Sequence, residues 1–378
     1  MKQKIYWLIS HLYKAGGVEL VTGEIIDALK NQYDITVVLL SDDISNYDIF
    51  PKYKNINTIC FNIPHKVIRN EDFLRNTNFF SKLMTFFRVF YFTFFGRFKY
   101  RRKLKKMTCK DDIIISTQLN SFLIAPKKRK NIFHFHYSNI YFNSLYNRMI
   151  LSISVKPISY VFLCNSSCED YKKSHKKLSS KCHYIYNPCR IKPFEQFENM
   201  GKRICFFARL EKQKNPLFVV EIMKYVHKKD PDVILDLYGK GYLEDKVRLK
   251  IKELHLENNI YLKGLGNPEV LRNYSLLLVT DTMSGGFNLN IAEANTQGTP
   301  ALTVDFSLPT KEAVKEDING YIIDDNNPQT FANKVIELLN NPNKLKQLRL
   351  SSYEFAKNFS IDKIKKDWIN YLDSFKDF

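Results

Sequence analysis

Ser284-Gly285-Gly286-Phe287-Asn288-Leu289-Asn290-Ile291-Ala292-Glu293-Ala294 follows the apolar run Leu276-Leu277-Leu278-Val279. The apolar run has the composition of a strand buried on both faces, and the stretch from Ile291 onward reads as the first turns of a helix. A strand, a glycine-bearing turn and a helix N-terminus in succession form an anion site. Glycine lets the backbone approach a ligand closely, and first-turn N–H groups have no intrahelical partner. Glu293, inside the helix, could accept hydrogen bonds from vicinal hydroxyls of a ligand. A plain strand–loop–helix junction is the competing interpretation.

Working outward, the same alternation recurs. Residues 204–208 read as a strand that delivers Arg209-Leu210-Glu211-Lys212-Gln213-Lys214-Asn215-Pro216. Pro216 suits the first position of a helix whose inward face carries Val219, Met223 and Val226. Arg209 and Lys214 therefore fall on a strand-to-helix loop, at the sheet edge where open α/β proteins bind ligands. A forked guanidinium and a mobile ammonium there could neutralise a diphosphate, or they could be a solvated basic loop. The strand over 233–238 runs into Gly239-Lys240-Gly241, and 260–263, 301–304 and 321–323 complete a second sheet. Asp230-Pro231-Asp232, the only D-x-D, precedes its strand, the wrong end for a metal-bound nucleotide.

The first half repeats the pattern. A strand over 5–9, the turn Gly16-Gly17, a helix over 18–29 and a strand over 35–40 form a βαβ unit, which predicts a parallel sheet. Gly16-Gly17 is not the G-x-G-x-x-G fingerprint, so a nicotinamide cofactor is disfavoured, while a paired glycine can present amides to a diphosphate. The strand over 132–135 ends at His134-Phe135-His136, which puts His134 and His136 on one face. Two histidines without further ligands nearby do not make a metal site. Residues 187–202 read as a linker, and a last helix begins near Ser360 with Ile364, Trp368, Tyr371, Leu372 and Phe375 on one face.

The formal net charge of the 378 residues is +19, which points to an anionic partner. It is concentrated between Asp72 and Asp111, where eleven basic residues occur with no acidic one. Within 78–106 the aromatic run Phe86-Phe87 to Phe94-Phe95 precedes Arg97, Lys99, Arg101, Arg102, Lys103, Lys105 and Lys106. That apolar portion is too short and too charged to span a bilayer, and it suits a helix lying in the headgroup layer of an anionic leaflet. A buried helix with a basic tail is the alternative. No nucleic-acid-binding motif accompanies the charge. Seven cysteines without a C-x-x-C pair argue against a disulfide framework and a structural zinc site. Met1-Lys2-Gln3-Lys4 gives way to a polar turn too soon for a signal peptide, which implies a cytoplasmic location.

Taken together, Gly16-Gly17-Val18-Glu19, Arg209 with Lys214, Tyr238-Gly239-Lys240-Gly241, Gly285 to Glu293 with Ala294, Gly298-Thr299-Pro300 and Asn319-Gly320 resemble the family-4 retaining glycosyltransferases. The resemblance implies the GT-B fold: two Rossmann-like, doubly wound α/β domains facing across a cleft, here 1–190 and 202–358, with a C-terminal helix over 359–378 returning to the first. It implies that Gly17, with Gly16, lies near the donor's diphosphate, that Arg209 and Lys214 hold that diphosphate, and that Glu293 holds the ribose hydroxyls. Gly239, Gly286, Phe287, Asn288 and Leu289 would line the nucleotide sugar, and His136 would touch the donor sugar or acceptor. Two positions depart from the family: Asn288 stands where a glycine is common, and, more seriously, Gly285 stands where the first glutamate of its E-x7-E motif contacts the transferred sugar, so the donor sugar stays open.

The implied function is a metal-independent, cofactor-free transfer of a sugar from a nucleotide donor, UDP-linked by expectation, to an acceptor glycan hydroxyl with retention. The aromatic-basic stretch implies work at the inner face of the plasma membrane on a lipid-linked acceptor, as in capsule, exopolysaccharide or teichoic acid assembly. Nucleic acid is not an expected partner. A non-catalytic subunit of the same fold that steadies a partner glycosyltransferase is the alternative.

Overall fold

A computed structural model describes residues 2–12, 17–41, 50–64, 84, 87–136, 145–194, 201–282 and 287–375. The chain forms two compact units, Met1–Tyr186 with Ile364–Phe378, and Asn187–Lys363.

The first unit holds seven parallel strands: β1 (Lys4–Ile9), β2 (Asp34–Leu39), β3 (Asn57–Cys60), β4 (Ile113–Ser116), β5 (Lys130–His134), β6 (Ser159–Phe162) and β7 (Cys182–Tyr184), in the order β3-β2-β1-β4-β5-β6-β7. The second holds β8 (Arg203–Phe207), β9 (Ile234–Tyr238), β10 (Ile260–Gly264), β11 (Leu276–Val279), β12 (Ala301–Val304) and β13 (Gly320–Ile323), in the order β10-β9-β8-β11-β12-β13. In each sheet the first strand lies centrally and the order reverses between it and the fourth, the doubly wound arrangement. The central strands are buried throughout and almost wholly apolar because helices cover both faces: every residue of Leu276–Val279 and of Ile113–Ser116 is buried. The cores follow from this. Val219, Met223 and Val226 of the helix Pro216–Lys229 pack with Leu235, Leu278 and Phe331 in the second unit.

The helix Ile361–Asp373 packs into the first unit. Ser360 caps it, its Oγ accepting from Lys363 N at 3.4 Å, and Ile364, Trp368, Tyr371 and Leu372 are buried. Trp368 sits 5.4 Å from the Trp7 ring and 5.0 Å, edge-on, from His134. Tyr33 Oη donates to Asp373 at 2.7 Å and Lys130 Nζ to the Phe375 carbonyl at 2.7 Å, fastening the C-terminal end of the helix. Two aromatic rings at such distances gain about 0.5–1.5 kcal/mol beyond the apolar area they bury.

Residues 87–107 are helical, with a π-turn over Phe92–Gly96 leading into Arg97–Met107; residues 78–83 and 85–86 lie outside the described part. Phe87, Phe90, Tyr91, Phe95 and Phe98 are exposed, as are Lys99, Arg102, Lys103, Lys105 and Lys106. Not all the cations face solvent. Arg97 is buried and donates to the Ile153 carbonyl at 3.2 Å, and Arg101 donates to the Leu123 carbonyl at 2.7 Å. These two arginines tie the helix to the body of the unit. Among the described residues no helix is long and apolar enough to cross a membrane.

Candidate functional site

In the second sheet the order reverses between β8 and β11, so the loops leaving their carboxyl ends diverge and leave a crevice there. The β8 loop carries both cations singled out above. Its shape is set locally: a short 3-10 turn over Lys212–Lys214, then Asn215 in the left-handed region at φ 50°, then Pro216 opening the helix. The β11 loop clasps it. Thr280 Oγ1 donates to the Lys214 carbonyl at 2.9 Å, and Thr282 N to the Gln213 carbonyl at 2.9 Å.

The clasp brings Lys214 Nζ onto Asp281 Oδ2, an ion pair whose side chains are 18% and 2% exposed. Burial pushes the Asp281 carboxyl up from its ordinary range, and Lys214 and Arg209 pull it back. Nothing in the local pattern flagged Asp281 beforehand. Its place, two residues past the end of β11, is nevertheless the position that the sheet-edge rule singles out. Arg209 behaves differently: its side chain is 56% exposed, with Nη1 2.8 Å from Glu211 Oε2.

Gly239 and Gly241 hold this loop from below. Gly239 has φ +134°, and a Cβ there would lie 1.9 Å from the Ala208 carbonyl oxygen; one on Gly241 would lie 2.2 Å from that of Leu210. The strand ends are drawn together by Ala208 N on Tyr238 O (3.1 Å) and Leu210 N on Lys240 O (3.0 Å). Gly239 therefore acts on Arg209 through close backbone approach, whatever it does for a ligand.

Gly285 and Gly286 lie outside the described residues. Beyond them Phe287 is buried with its ring 4.8 Å from Phe359, Asn288 is buried at the N-cap position, and Leu289 opens the helix Leu289–Thr296. Asn290 Nδ2 reaches the Phe207 carbonyl at 3.3 Å, tying this helix to the end of β8. Glu293 is buried one turn on. Its Oε1 takes two bonds from Arg190, Nε at 3.0 Å and Nη2 at 2.5 Å. Burial raises the Glu293 carboxyl above its usual range, and Arg190 counters it. Arg190 was legible only as part of a linker, because its partner stands 103 residues away.

The first unit has its own reversal, between β1 and β4. Gly16 lies outside the described residues; Gly17 opens the helix Gly17–Leu29 and is exposed. Gln118 bridges the two strand ends, accepting from Ser10 N at 3.0 Å and donating to Glu19 Oε1 at 3.3 Å. His136, just past β5, is buried, with its Nε2 3.1 Å from His134 Nδ1. Burial lowers His136 to about 3 and His134 well below the usual imidazole range, so both rings are neutral at physiological pH. His136 is thus a hydrogen-bonding group and not a cation. Among the described residues no three His, Cys, Asp or Glu side chains gather as metal ligands.

Residues 190–355 match the family model for group 1 glycosyl transferases. The chain is 26% identical over 162 residues to the poly(glycerol-phosphate) alpha-glucosyltransferase of Bacillus subtilis, covering 43% of this chain and 24% of that one. Over 175 residues it is 26% identical to the poly(ribitol-phosphate) alpha-N-acetylglucosaminyltransferase of Staphylococcus aureus, covering 46% of this chain and 36% of that protein. The chain thus spans about a quarter to a third of the length of these two relatives. A fuller alignment, 22% identical over 95% of this chain and 96% of the other, links it to the N-acetylgalactosamine-N,N'-diacetylbacillosaminyl-diphospho-undecaprenol 4-alpha-N-acetylgalactosaminyltransferase of Campylobacter jejuni. Among solved structures, TarM superposes with a TM-score of 0.75 at 16% identity, covering 98% of each chain. Anabaena HepE in complex with UDP superposes at 0.74 and 16%, covering 98% of this chain and all of the other. The fold is that of the GT-B glycosyltransferases.

Proposed function

We propose that this chain, whose residues 190–355 match the family model for group 1 glycosyl transferases, is a retaining, metal-independent glycosyltransferase that moves a sugar from a UDP-linked donor to an acceptor glycan. The observation that carries this is the second sheet's strand-order reversal, where Lys214, held by Asp281, shares a loop with Arg209 beside the helix bearing Glu293. Breaking the bond at the anomeric carbon gives an oxocarbenium-like sugar and leaves negative charge on the departing diphosphate. Fixed cations at the leaving group lower that barrier more than any other single device. Arg209 and Lys214 meet that demand, the amides of Phe287, Asn288 and Leu289 face phosphate and sugar, and Glu293 receives the ribose diol. Gly17, at the start of its helix, is proposed as a diphosphate contact, and His136, as a neutral ring, as a hydrogen-bonding partner for the sugar or acceptor.

The acceptor belongs to cell-surface polymer assembly, a class to which the named relatives' poly(glycerol-phosphate), poly(ribitol-phosphate) and diphospho-undecaprenol substrates give support. The exposed aromatics and cations along 87–106 support work at an anionic membrane face on a lipid-linked acceptor. UDP release from UDP-glucose, UDP-N-acetylglucosamine and UDP-N-acetylgalactosamine, with polyol-phosphate and polyprenyl-diphosphate acceptors, tests the reaction. No turnover and no UDP binding would reject it. Flotation with phosphatidylglycerol vesicles tests the membrane part. Binding should fall with added salt and with Gln at Lys99, Arg102, Lys105 and Lys106; indifference to both rejects it.

Two observations favour a second reading, a non-catalytic subunit that steadies a partner glycosyltransferase. Gly285 replaces the family's sugar-contacting glutamate, and the charge of Lys214 is already matched by Asp281. Protein that binds no nucleotide sugar yet co-purifies with an active enzyme would decide for it.

A further inference from the structure

The segment that enters the second unit is stitched along the helix carrying Glu293. Cys189 N donates to the Phe359 carbonyl at 2.7 Å, and Thr296 Oγ1 to Cys189 Sγ at 3.1 Å. Further on, Gln297 Nε2 donates to the Lys192 carbonyl at 2.6 Å and Phe194 N to the Thr296 carbonyl at 3.2 Å. Arg190 is thus fixed on both sides before its side chain is considered. Its guanidinium then converges on one oxygen, Nε and Nη2 both reaching Glu293 Oε1. A guanidinium fork usually spans both oxygens of a carboxylate. This geometry leaves Oε2 unclaimed by Arg190, with lone pairs suited to adjacent hydroxyls.

From this we infer that Arg190 is a positioning residue for the nucleotide half of the donor: it aims the Glu293 carboxylate and keeps it ionised, so that Oε2 accepts from the ribose diol. The inference rests on the donor-binding role proposed for Glu293. Two effects make the arginine necessary. A carboxylate this buried is costly to ionise without a paired cation. A protonated Glu293 would also bring a donor to hydroxyls that need an acceptor, and would lose one accepting oxygen. Among the described residues, the charged partner that opposes the burial of Glu293 is Arg190.

Calorimetric titration of UDP into the full-length protein, from pH 5.5 to pH 8.5, tests this on wild type, Arg190→Met, Arg190→Lys and Glu293→Gln. The methionine variant should bind UDP about tenfold more weakly near neutrality, the scale of a lost charge-assisted bond. Wild-type affinity should fall on the acid side as Glu293 protonates. In Arg190→Met that acid limb should move to higher pH, because the carboxyl loses the field that keeps it ionised. Arg190→Lys should return the limb most of the way, and Glu293→Gln should abolish it. The UDP phosphate titrates alike in every variant, so displacement of the limb is the reading. If Arg190→Met loses affinity by the same factor at every pH, the arginine is merely structural and the inference falls. If Arg190→Met matches wild type while Glu293→Gln weakens UDP, the inference falls and the donor reading stands. Wild-type protein that binds no UDP overturns both.

Discussion

The carboxyl edges of the two sheets have the same strand order and opposite chemistry. At the edge of the second, charge is brought in and paired: Lys214 with Asp281, Arg190 with Glu293, and exposed Arg209 with Glu211. At the edge of the first, one buried carboxylate, Glu19, sits among neutral groups: two imidazoles joined to each other, an amide bridging Ser10 and Glu19, and two tryptophans against His134. A doubly wound sheet supplies the crevice in both, and the side chains past the strand ends decide what each can hold. Compensated cations suit a ligand that arrives with charge and departs with more. Neutral hydrogen-bonding rings suit hydroxyls.

The sharpest way to break this contrast is Lys214→Ala. Turnover should fall about 10²–10³-fold, the scale of losing one fixed stabiliser of developing negative charge. The same change strands Asp281, whose carboxyl is 2% exposed, so the melting temperature should drop too. Lys214→Ala with Asp281→Asn should restore the melting temperature and leave turnover low. If the double variant regains activity, the charge on Lys214 serves the fold and not the reaction.

Next comes the neutrality of the first edge. His136 in the folded chain stands near 3, below the ordinary 6.5 of the unfolded state. A group depressed in this way contributes stability that is present above 6.5 and is lost as pH falls toward 3, here on the order of a few kcal/mol. The chain's two tryptophans, Trp7 and Trp368, both pack on His134, so their fluorescence reports on this place alone. Unfolding followed by that signal should shift to lower temperature between pH 7 and pH 4. His136→Asn should flatten the slope, and an unchanged slope would mean that other groups hold the edge. Asp281 and Glu293 carry the opposite sign: both are raised by burial, so their contribution is lost as pH rises.

Much of this architecture was legible in order and spacing. The inner strands β8, β11 and β12 of the second sheet were marked by apolar runs ending at a turn, because a parallel strand covered on both faces has little polar alternation to confuse it, whereas the edge strand β10 alternates in burial. The helix Ile361–Asp373 was legible from Ser360 and its 3.6-residue stripe. β3 was not: Asn57-Thr58-Ile59-Cys60 is a short edge strand with only one strongly apolar residue. In the site, Arg209 and Lys214 could be located by the strand that precedes them. Asp281 and Arg190 could not be matched to their partners, 67 and 103 residues distant, because ion pairing across loops leaves no period in the sequence. The basic run between Asp72 and Asp111 was legible as charge but not as direction. Arg97 and Arg101, which turn inward to backbone carbonyls, look in sequence like Arg102, which does not.

A smaller effect separates backbone approach from side-chain chemistry. In Gly239→Ala the new methyl would meet the Ala208 carbonyl and the backbone would be held at φ +134°, which should cost about 1–3 kcal/mol of stability. UDP affinity should weaken with it, because the displaced loop carries Arg209. A variant that keeps its melting temperature but loses UDP would instead assign Gly239 to direct ligand contact.

The smallest change tests the exposed cation. Arg209 is paired with Glu211 at the surface, and pairs of that kind contribute about 0–1 kcal/mol, so Arg209→Ala should melt with wild type. Its effect should appear only when a ligand drains solvent from around the guanidinium and the Coulomb interaction strengthens. Turnover should then fall about tenfold, less than for Lys214→Ala because a mobile, exposed side chain is less well aimed in advance. Glu211→Gln is the control that gives the result its sign. Releasing Arg209 from its partner should leave stability unchanged and raise UDP affinity slightly. If Glu211→Gln weakens UDP instead, the carboxylate aims the guanidinium as Asp281 holds Lys214, and the two cations are positioned by one device at different depths.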